Sequence, residues 1–323
     1  MSILVFAENW DGKFKKQTFE LISYAHALSK SMNTTVSAIS IGKVDDEELN
    51  KLGTYGASKV LNVTDCRLYT LDNKAYTMAI AQAAAKENSK IIVFAQNNTG
   101  KAIAPRVSIR LKAGLASGVI GLPTSYEPFT IVKKTYTSKA LANVIVKSEV
   151  KIITLSQNAY GIVENPTTAN IEHFTPEITD ADIKTTVIEV NKITGKILLN
   201  DAEIVVSGGR GMKGPENWGG IEELAQILGA ATACSRPVSD EGWRTHEEHT
   251  GQTGKIIAPN LYFAFGISGA IQHLGGISSS KCIVAVNKDP DAPIFEAADY
   301  GIVGDVLKVI PELIAAIKEL KAN

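Results

Sequence analysis

The residues best suited to chemistry lie in one stretch, 261–276, which reads Leu-Tyr-Phe-Ala-Phe-Gly-Ile-Ser-Gly-Ala-Ile-Gln-His-Leu-Gly-Gly. An apolar strand pattern ends at Gly266, and Ser268 and Gly269 then begin a short predicted helix that carries His273. The first N–H groups of a helix have no partner within it, so they can bind an anion without help from lysine or arginine. The pattern predicts a phosphate-binding turn with His273 close by, although a lone histidine in a helix is usually structural.

Two further polar clusters lie in the same half of the chain. A strand pattern of small residues ends in Ser235 and Arg236, and Pro237 restrains the backbone behind them. Ligands bind beyond the carboxyl ends of strands in open α/β sheets, so Arg236 is placed to stack on a ring or to neutralise an anion. Residues 250–255, Thr-Gly-Gln-Thr-Gly-Lys, form a loop whose N–H groups, amide and hydroxyl suit a polar heterocycle or a phosphate. A surface ion pair is the simpler interpretation of Arg236, and a plain turn is the simpler interpretation of residues 250–255.

A third glycine cluster matches the dinucleotide pattern G-x-G-x-x-G. Residues 209–214 read Gly-Arg-Gly-Met-Lys-Gly after a predicted strand, which is the context that the pattern requires. However, Pro215 follows at once, and the next helix is predicted only near Asn217. A ribose-binding acid is expected about 20 residues further on, but none occurs in that region before Asp240. A glycine-rich surface turn explains this motif as well as a dinucleotide site does.

The remaining candidates are polar residues near the end of the chain and a pair of histidines. Asn287 ends a buried strand pattern at the same predicted sheet edge, and Asp305 stands where the last helix begins. Helix capping is the simpler role for Asp305. His246 and His249 enclose two glutamates and so suggest a metal site, but the spacing lacks the H-E-x-x-H form and favours a solvated loop.

The candidate side chains can only lie close together if a sheet brings the ends of their strands together. The sequence predicts two α/β units, each with its own sheet. In residues 1–118, short apolar runs alternate with helical periods, which is typical of a parallel sheet covered by helices. Residues 119–155 indicate shorter strands that add an antiparallel part to this sheet. Residues 156–182 contain prolines and little periodicity, so we interpret them as an exposed linker. From about residue 200 the alternation returns in a second unit.

The predicted fold is therefore α/β, with two Rossmann-like parallel-sheet domains at residues 1–190 and 200–323. A composition of 45% hydrophobic and 21% charged residues excludes a disordered chain. The net charge of −1 hides an asymmetry, because residues 1–200 carry +5 and residues 201–323 carry −6. The acidic charge of the C-terminal half argues against nucleic-acid binding there. A phosphate in this half would be bound largely by backbone N–H groups, since the half carries more acidic than basic residues.

Cysteine usage and the N-terminal residues indicate the cellular compartment. Cys66, Cys234 and Cys282 lie far apart and form no C-x-x-C pair, so neither a zinc site nor a disulfide framework is indicated. The first residues enter a strand pattern directly, without the features of a signal or transit peptide. No apolar run approaches the ~20 residues of a membrane span. We expect a cytoplasmic, bacterial-type protein.

The same motifs closely resemble the electron transfer flavoprotein alpha subunit. The resemblance is carried by residues 251–276, by Val-Asn-Lys-Asp-Pro at 286–290, by Ile-Phe-x-x-Ala-Asp-Tyr-Gly-Ile-Val-Gly-Asp at 294–305, by Val-Ser-Gly-Gly-Arg-Gly at 206–211, by Cys-Ser-Arg-Pro-Val at 234–238 and by the opening Ile-Leu-Val-Phe-Ala-Glu at 3–8. It spans nearly the whole chain, and the run from 266 to 276 is highly specific.

The resemblance implies an electron carrier rather than an enzyme. The chain would pair with a beta subunit that carries AMP, and its C-terminal domain would hold FAD. The N-terminal domain and the beta subunit would form a base on which the flavin domain swivels. Electrons would come from flavin dehydrogenases, such as the acyl-CoA dehydrogenases of fatty acid beta-oxidation, and pass to a membrane quinone oxidoreductase. Neither nucleic-acid binding nor membrane insertion is implied.

The resemblance also implies roles for individual residues. Arg236 would lie over the flavin ring, where its cation stabilises the negative charge that reduction adds. The Thr253 hydroxyl would bond flavin N5, and His273 would lie near flavin O2. Donors and a cation aimed where charge develops act by electrostatic preorganisation. The other implied FAD contacts are Arg210, Ser235, Thr250, Gly251, Gln252, Ser268, Gly269, Ala270, Ile271, Gln272 and, near the adenosine end, Asn287, Asp305 and Val306. Thr250 stands where many relatives have an apolar residue.

Three alternatives stay open. A bifurcating member of the same family would oxidise NADH with a second FAD in the beta subunit. An NAD-dependent dehydrogenase is suggested by the G-x-G-x-x-G match at residues 209–214, but the missing ribose-binding acid counts against it. A nucleotide-binding signalling module fits residues 1–118 but not the C-terminal cluster.

Overall fold

The computed structural model describes residues 2–136, 139–190 and 197–322. The chain divides into two compact units, Met1–Val190 and Asn191–Asn323. In the described residues, no helix is both long enough and apolar enough to cross a bilayer.

The first unit contains a ten-stranded sheet and a small two-stranded one. The strands are β1 (Ser2–Phe6), β2 (Asn9–Trp10), β3 (Lys13–Phe14), β4 (Thr35–Ile41), β5 (Lys59–Val63), β6 (Ser89–Ala95), β7 (Gly114–Val119), β8 (Ser125–Tyr126), β9 (Phe129–Thr135), β10 (Ala140–Ile145), β11 (Lys151–Leu155) and β12 (Asn170–His173). The helices are α1 (Lys16–Met32), α2 (Asp46–Thr54), α3 (Asn73–Lys86) and α4 (Asn98–Leu111).

The large sheet has the order β10-β9-β7-β11-β6-β1-β4-β5-β12, with β8 beside β9. The strands from β7 to β12 in this order pair in parallel, whereas β9 and β10 form an antiparallel extension. Buried residues of α1 and α2 pack on one face and those of α3 and α4 on the other. The predicted α/β class is confirmed.

One predicted antiparallel strand is instead a central parallel one. β11 lies between β6 and β7 and pairs in parallel with both. Its residues Ile152 and Ile153 are buried in opposite core clusters, which is the pattern of a parallel strand covered on both faces. β10 alternates between partly buried and exposed residues and lies at the edge of the sheet, where it pairs antiparallel with β9, as predicted for this region.

The structure also differs from the linker prediction for residues 156–182. β12 extends the sheet by pairing with β5. The buried Glu20 carboxylate accepts the N–H groups of Tyr160 and Gly161 at 2.9 and 3.0 Å. The stretch is therefore fixed to the first unit by partners that lie far away in the sequence.

The second unit is a five-stranded parallel sheet between two layers of helices. Its strands are β13 (Ile204–Gly208), β14 (Ala231–Cys234), β15 (Leu261–Phe265), β16 (Cys282–Asn287) and β17 (Tyr300–Val303), and its helices are α5 (Gly219–Leu228), α6 (Arg236–Asp240), α7 (Ile271–Ile277), α8 (Ile294–Ala297) and α9 (Val306–Ala322). α5 and α9 contribute to the core on one face, and α7 and α8 contribute on the other.

The strand order β14-β13-β15-β16-β17 determines where a ligand can bind. From β13 the chain moves first to β14 on one side and later to β15 on the other. The point between β13 and β15 is thus the topological switch point, and crevices at the carboxyl ends of such strands are the usual ligand sites.

Candidate functional site

Two loops touch through their backbones at the switch point. The N–H of Gly209 donates to the Phe265 carbonyl at 2.8 Å, and the N–H of Gly211 donates to the Gly266 carbonyl at 3.0 Å. A Cβ at Gly209 would lie 2.3 Å from the Gly266 oxygen, so there is no room for a side chain. Gly266 itself has a φ of 63°, which favours glycine. The loop after β13 and the loop after β15 therefore form one close-packed floor.

This contact gives the G-x-G-x-x-G glycines a different role from the one in a dinucleotide fingerprint. In that fingerprint the glycine turn leads directly into a helix whose N-terminus binds the pyrophosphate. Here two short 3-10 turns, Arg210–Met212 and Pro215–Asn217, separate β13 from α5. The first two glycines of the motif serve the contact with Gly266, and Arg210 is exposed in the first turn.

The turn after β15 contains backbone donors that form no backbone hydrogen bond within the part of the chain that the structure describes. Gly269 has a φ of 87°, and a Cβ there would lie 2.3 Å from the Ile294 nitrogen. The Ser268 carbonyl accepts the Ile294 N–H at 3.0 Å, which fixes the turn against α8. Among the described residues, no backbone hydrogen bond uses the N–H groups of Ser268, Gly269 or Ala270. Ser268, Ala270 and the following Ile271 are exposed, so this turn can offer N–H groups to an anion.

Asn287 supports this turn from the neighbouring strand. Its Nδ2 donates to the Ile267 carbonyl at 2.9 Å, and its backbone carbonyl accepts the Gly304 N–H at 2.9 Å. Asn287 thus joins the end of β15 to the connection that leads into α9. The structure thus shows a positioning role for Asn287.

Asp305 begins α9 and is paired with two lysines. Its Oδ1 accepts the Leu307 N–H at 3.1 Å, which is a helix cap. Its Oδ2 lies 2.8 Å from Lys288 Nζ and 3.6 Å from Lys213 Nζ. The Lys288 ammonium and the Leu307 N–H lower the pKa of Asp305 to about 2. The next residue, Val306, is buried in the core, so only its backbone is available to a ligand.

The loop at 250–255 is fixed between a strand and a helix. The Thr250 N–H donates to the Cys234 carbonyl at 3.0 Å, and the Gln252 N–H donates to the Gln272 carbonyl at 2.8 Å. A Cβ at Gly276 would lie 2.4 Å from the Gly251 Cα, so α7 packs directly on the loop. The side chains of Gln252 and Thr253 are exposed. The loop therefore holds an amide and a hydroxyl in a restrained backbone beside α7.

Ser235 and Arg236 connect the ends of two strands. The buried Ser235 donates its N–H to the Gly208 carbonyl at 3.1 Å, next to the switch point. The Arg236 side chain is 62% exposed, and its Nε donates to Asp240 Oδ2 at 3.2 Å. An exposed ion pair contributes at most about 1 kcal/mol, so a ligand can recruit this guanidinium at little cost.

His273 lies on the inner side of α7 and is buried. Its Nε2 is 2.9 Å from the Tyr262 hydroxyl. Burial lowers the pKa of His273 to about 4, the nearby His249 contributes to the decrease, and the Thr250 backbone opposes it. The imidazole is therefore neutral near pH 7, and what it offers a ligand is a hydrogen bond rather than a fixed positive charge.

Sequence reasoning missed two features of the segment before the loop. Arg244 forms a two-pronged ion pair with Glu248, at 2.9 Å for each bond, and also donates to Glu222 at 2.7 Å. His249, which we assigned to a solvated loop together with His246, is buried. Alternating charges on an irregular segment gave no signal for either. Within the described residues, no group of three or more histidine, cysteine, aspartate or glutamate side chains could hold a metal ion.

Taken together, the carboxyl ends of the parallel strands bring the candidate residues to one edge of the sheet. The arrangement fits a cofactor with a phosphate group and a polar ring system. Free N–H groups at 268–270 suit the phosphates, and exposed Gln252, Thr253 and Arg236 suit the ring. The hydroxyl of Thr250 is buried without a hydrogen-bond partner among the described residues. This hydroxyl is therefore available for a hydrogen bond to a ligand.

Comparison with known proteins gives two family matches and several full-length relatives. The family described as "Electron transfer flavoprotein domain" matches residues 3–181, and the one described as "Electron transfer flavoprotein FAD-binding domain" matches residues 198–278. The chain is 36% identical to the electron transfer flavoprotein subunit alpha of Thermoanaerobacterium thermosaccharolyticum, over 99% of this chain and 98% of that protein. The identity to the subunit alpha of Bacillus subtilis is also 36%, with the same coverage.

A third relative has a different name. The chain is 34% identical to the acryloyl-CoA reductase electron transfer subunit beta of Anaerotignum propionicum, over 99% of this chain and 96% of that protein. The FAD-binding family match includes the loops at 209–214, 234–240, 250–255 and 266–273, whereas Asn287 and Asp305 lie beyond it.

Proposed function

The chain belongs to the family of electron transfer flavoprotein alpha subunits and carries its FAD-binding domain, and from this premise we propose that FAD binds at the β13–β15 switch point. The observation that carries the proposal is the convergence of the loops after β13, β14 and β15 on one edge of the sheet. Their backbones are tied to one another, while their polar side chains and the N–H groups of residues 268–270 remain available.

Bound FAD supplies the redox chemistry, and the residues of the chain bind and orient it. The N–H groups of Ser268, Gly269 and Ala270 bind the pyrophosphate through backbone dipoles, which suits a domain with a net charge of −6. Arg210 adds a cation at the same edge. Residues near Asn287 and Asp305, with the backbone of Val306, form the adenosine end.

The ring end of the site is assigned to the side chains around the 250–255 loop. Arg236 places a permanent cation beside the ring and so favours the state with added negative charge. The Thr253 hydroxyl and the Gln252 amide contact the ring edge, held in place by the bonds from the loop to Gln272 and Cys234. His273 remains neutral and acts as a hydrogen-bonding partner on the α7 side.

Membership of the family supports a proposal for the partners. We assign residues 1–190 to the scaffold that binds the beta subunit, with AMP held by that subunit. Electrons arrive from a flavin dehydrogenase and leave to a quinone oxidoreductase, so the chain is an electron carrier. One relative is named as the electron transfer subunit of an acryloyl-CoA reductase, which favours a redox partner that acts on acyl-CoA esters.

The test is co-expression of the chain with the beta subunit of its own organism. The purified complex should show a flavin absorption spectrum, and mass spectrometry of the released cofactors should find FAD and AMP in equal amounts. A complex without flavin would contradict the proposal. Two FAD per heterodimer and no AMP would favour the NADH-oxidising, bifurcating member of the family instead.

A further inference from the structure

A buried histidine without an assigned role lies directly under the 250–255 loop. His249 is 2% exposed. A Cβ placed on Gly254 would lie 2.7 Å from its Nδ1, and one placed on Gly251 would lie 3.6 Å from its Nε2. The imidazole therefore fills the space beneath the turn whose outer side carries Gln252 and Thr253. Gln252 and Thr253, which we assign to the ring end of the proposed FAD site, belong to this same loop.

The backbone of His249 is fixed on both sides. It pairs with Cys234 in an isolated parallel bridge, and its carbonyl accepts the Lys255 N–H at 2.9 Å. The ring is thus held at a defined depth below the loop. Yet its Nδ1 is buried and has no hydrogen-bond partner among the described residues. Buried polar atoms without partners are rare in folded proteins and need an explanation.

The groups around the imidazole leave it neutral but able to accept a proton. Burial lowers the pKa of His249, its neighbours His246 and Arg236 lower this pKa further, and Asp240 opposes them. On the α7 side, His273 is itself neutral near pH 7 because its pKa is about 4. The groups that face His249 are Arg236 and Asp240 on α6, His246 in the preceding turn, His273 on α7 and Cys234 at the end of β14.

Two acidic neighbours, the Cys234 thiol and the Glu248 carboxyl group, do not add an unbalanced negative charge. Burial raises the pKa of the Cys234 thiol to about 12, so it is uncharged near pH 7. The buried Glu248 carboxylate is neutralised by Arg244 through two bonds of 2.9 Å. Asp240 is exposed and paired with Arg236. A negative charge added at the proposed FAD site would raise the proton affinity of His249.

We infer that His249 is a positioning residue that takes up a proton when the FAD site gains negative charge. The inference rests on the proposed function. The electrons come from the reduced flavin dehydrogenase, or from dithionite in a titration, and the proton comes from solvent. It binds to Nδ1, so one N–H bond forms and the neutral imidazole becomes an imidazolium that balances the added charge across the loop. The ring centroid of the exposed His246 lies 5.3 Å from that of His249.

The sign of the effect follows from linkage. If reduction raises the proton affinity of His249, the midpoint potential of the flavin must fall as the pH rises between the pKa of His249 in the oxidised and in the reduced complex. Outside this window His249 contributes no slope. A variant without a titratable group at 249 loses the slope in the window, and its potential at the acidic end decreases to the value that the unaltered protein has at the alkaline end.

The experiment is a spectroelectrochemical titration of the FAD-loaded heterodimer across the histidine range, about pH 5 to 8. His249→Gln should remove the pH dependence in the window, and His246→Gln, the matched control, should retain it. An unchanged slope in His249→Gln would overturn the inference. A heterodimer that contains no FAD would contradict the proposed function instead, and the inference with it.

A second measurement keeps the inference testable if His249→Gln does not assemble. The chain has five histidines, so the unaltered protein can be labelled with ¹³C at the imidazole ring and titrated by NMR in both redox states. The resonance of His249 should show at least a tenfold higher proton affinity in the reduced complex. Equal affinities in the two states would refute the inference.

Discussion

Gly211 and Gly266 meet backbone to backbone at the centre of the proposed FAD site. The N–H of Gly211 donates to the Gly266 carbonyl at 3.0 Å, and a Cβ at Gly211 would lie only 2.6 Å from the Gly266 Cα. This contact joins the loop after β13 to the loop after β15. Both loops carry residues that we assign to the FAD site. Their relative position therefore depends on this contact between the two glycines.

Gly266→Ala should therefore reduce both stability and FAD content. Its φ of 63° costs an alanine about 1–2 kcal/mol. The new Cβ would also lie 2.7 Å from the Gly211 Cα, and such overpacking typically costs about 1–3 kcal/mol more. Thermal unfolding and the ratio of flavin to protein absorbance measure the two effects.

Gly229→Ala separates backbone strain from the clash. Gly229 ends α5 with the same φ of 63°, but a Cβ there would meet nothing within 4 Å. This variant should lose only about 1–2 kcal/mol and retain full FAD content. Equal losses in the two variants would show that the close approach of the loops does not matter.

Arg236→Ala should lower the midpoint potential of the bound flavin. The guanidinium is a permanent cation, and its removal destabilises the state that carries added negative charge. A tenfold change in the relative binding of the two redox states corresponds to about 59 mV for one electron, and we expect a shift of about this size. Potentiometric titration measures it.

Asp240→Asn provides the control for this prediction. It removes the partner of Arg236 at 3.2 Å but leaves the guanidinium in place. We expect a potential equal to or slightly above that of the unaltered protein, because the cation is then no longer partly neutralised. A decrease as large as that of Arg236→Ala would mean that the ion pair, and not the cation, sets the potential.

The strand ends and the site loops could be predicted because the signals are local. An apolar run followed by Gly266 and Ser268 indicates a strand that ends in a turn, and parallel strands bring their carboxyl ends to one edge of a sheet. The family resemblance supplied the roles. The structure adds the reason that glycine is needed at Gly266, namely the backbone of Gly211.

The features that could not be predicted depend on residues distant in the sequence. Residues 156–182 lack periodicity, and they are ordered by contacts such as that of the Glu20 carboxylate with the Tyr160 N–H, 140 positions away. His249 is polar and follows two glutamates in the sequence, and its burial is explained by the fold of the loop that covers it.

Asp305→Ala and Asp305→Asn should separate the two roles of this residue. Asparagine caps helices about as well as aspartate does, whereas alanine does not. Asp305→Asn should thus retain the start of α9 while losing the ion pairs with Lys288 and Lys213. Hydrogen exchange of the Leu307 amide measures the cap. We expect faster exchange than in the parent chain for the alanine variant alone. If exchange becomes equally faster in both variants, the ion pairs with the lysines, and not the cap, stabilise the start of α9.

His273 should make the second unit less stable as the pH falls. Its pKa in the folded chain is about 4, below the ordinary value of 6.5, chiefly because burial disfavours the imidazolium. Below pH 6.5 the unfolded chain binds the proton first, so the free energy of unfolding decreases until the folded pKa is reached, by about 3 kcal/mol in total. Above pH 6.5 this stabilisation is fully present. His273→Gln removes this part of the pH dependence.

The measurement follows the second unit alone. Trp218 and Trp243 lie in that unit, and Trp10 lies in the first, so urea unfolding of a Trp10→Phe chain, monitored by tryptophan fluorescence, reports on the second. His273→Gln should reduce the decrease in the free energy of unfolding between pH 6.5 and 4. His173→Gln, at an exposed histidine of the first unit, should leave it unchanged. If the unfolding free energy of His273→Gln still falls as steeply as that of the parent chain, burial of His273 does not account for the acid sensitivity.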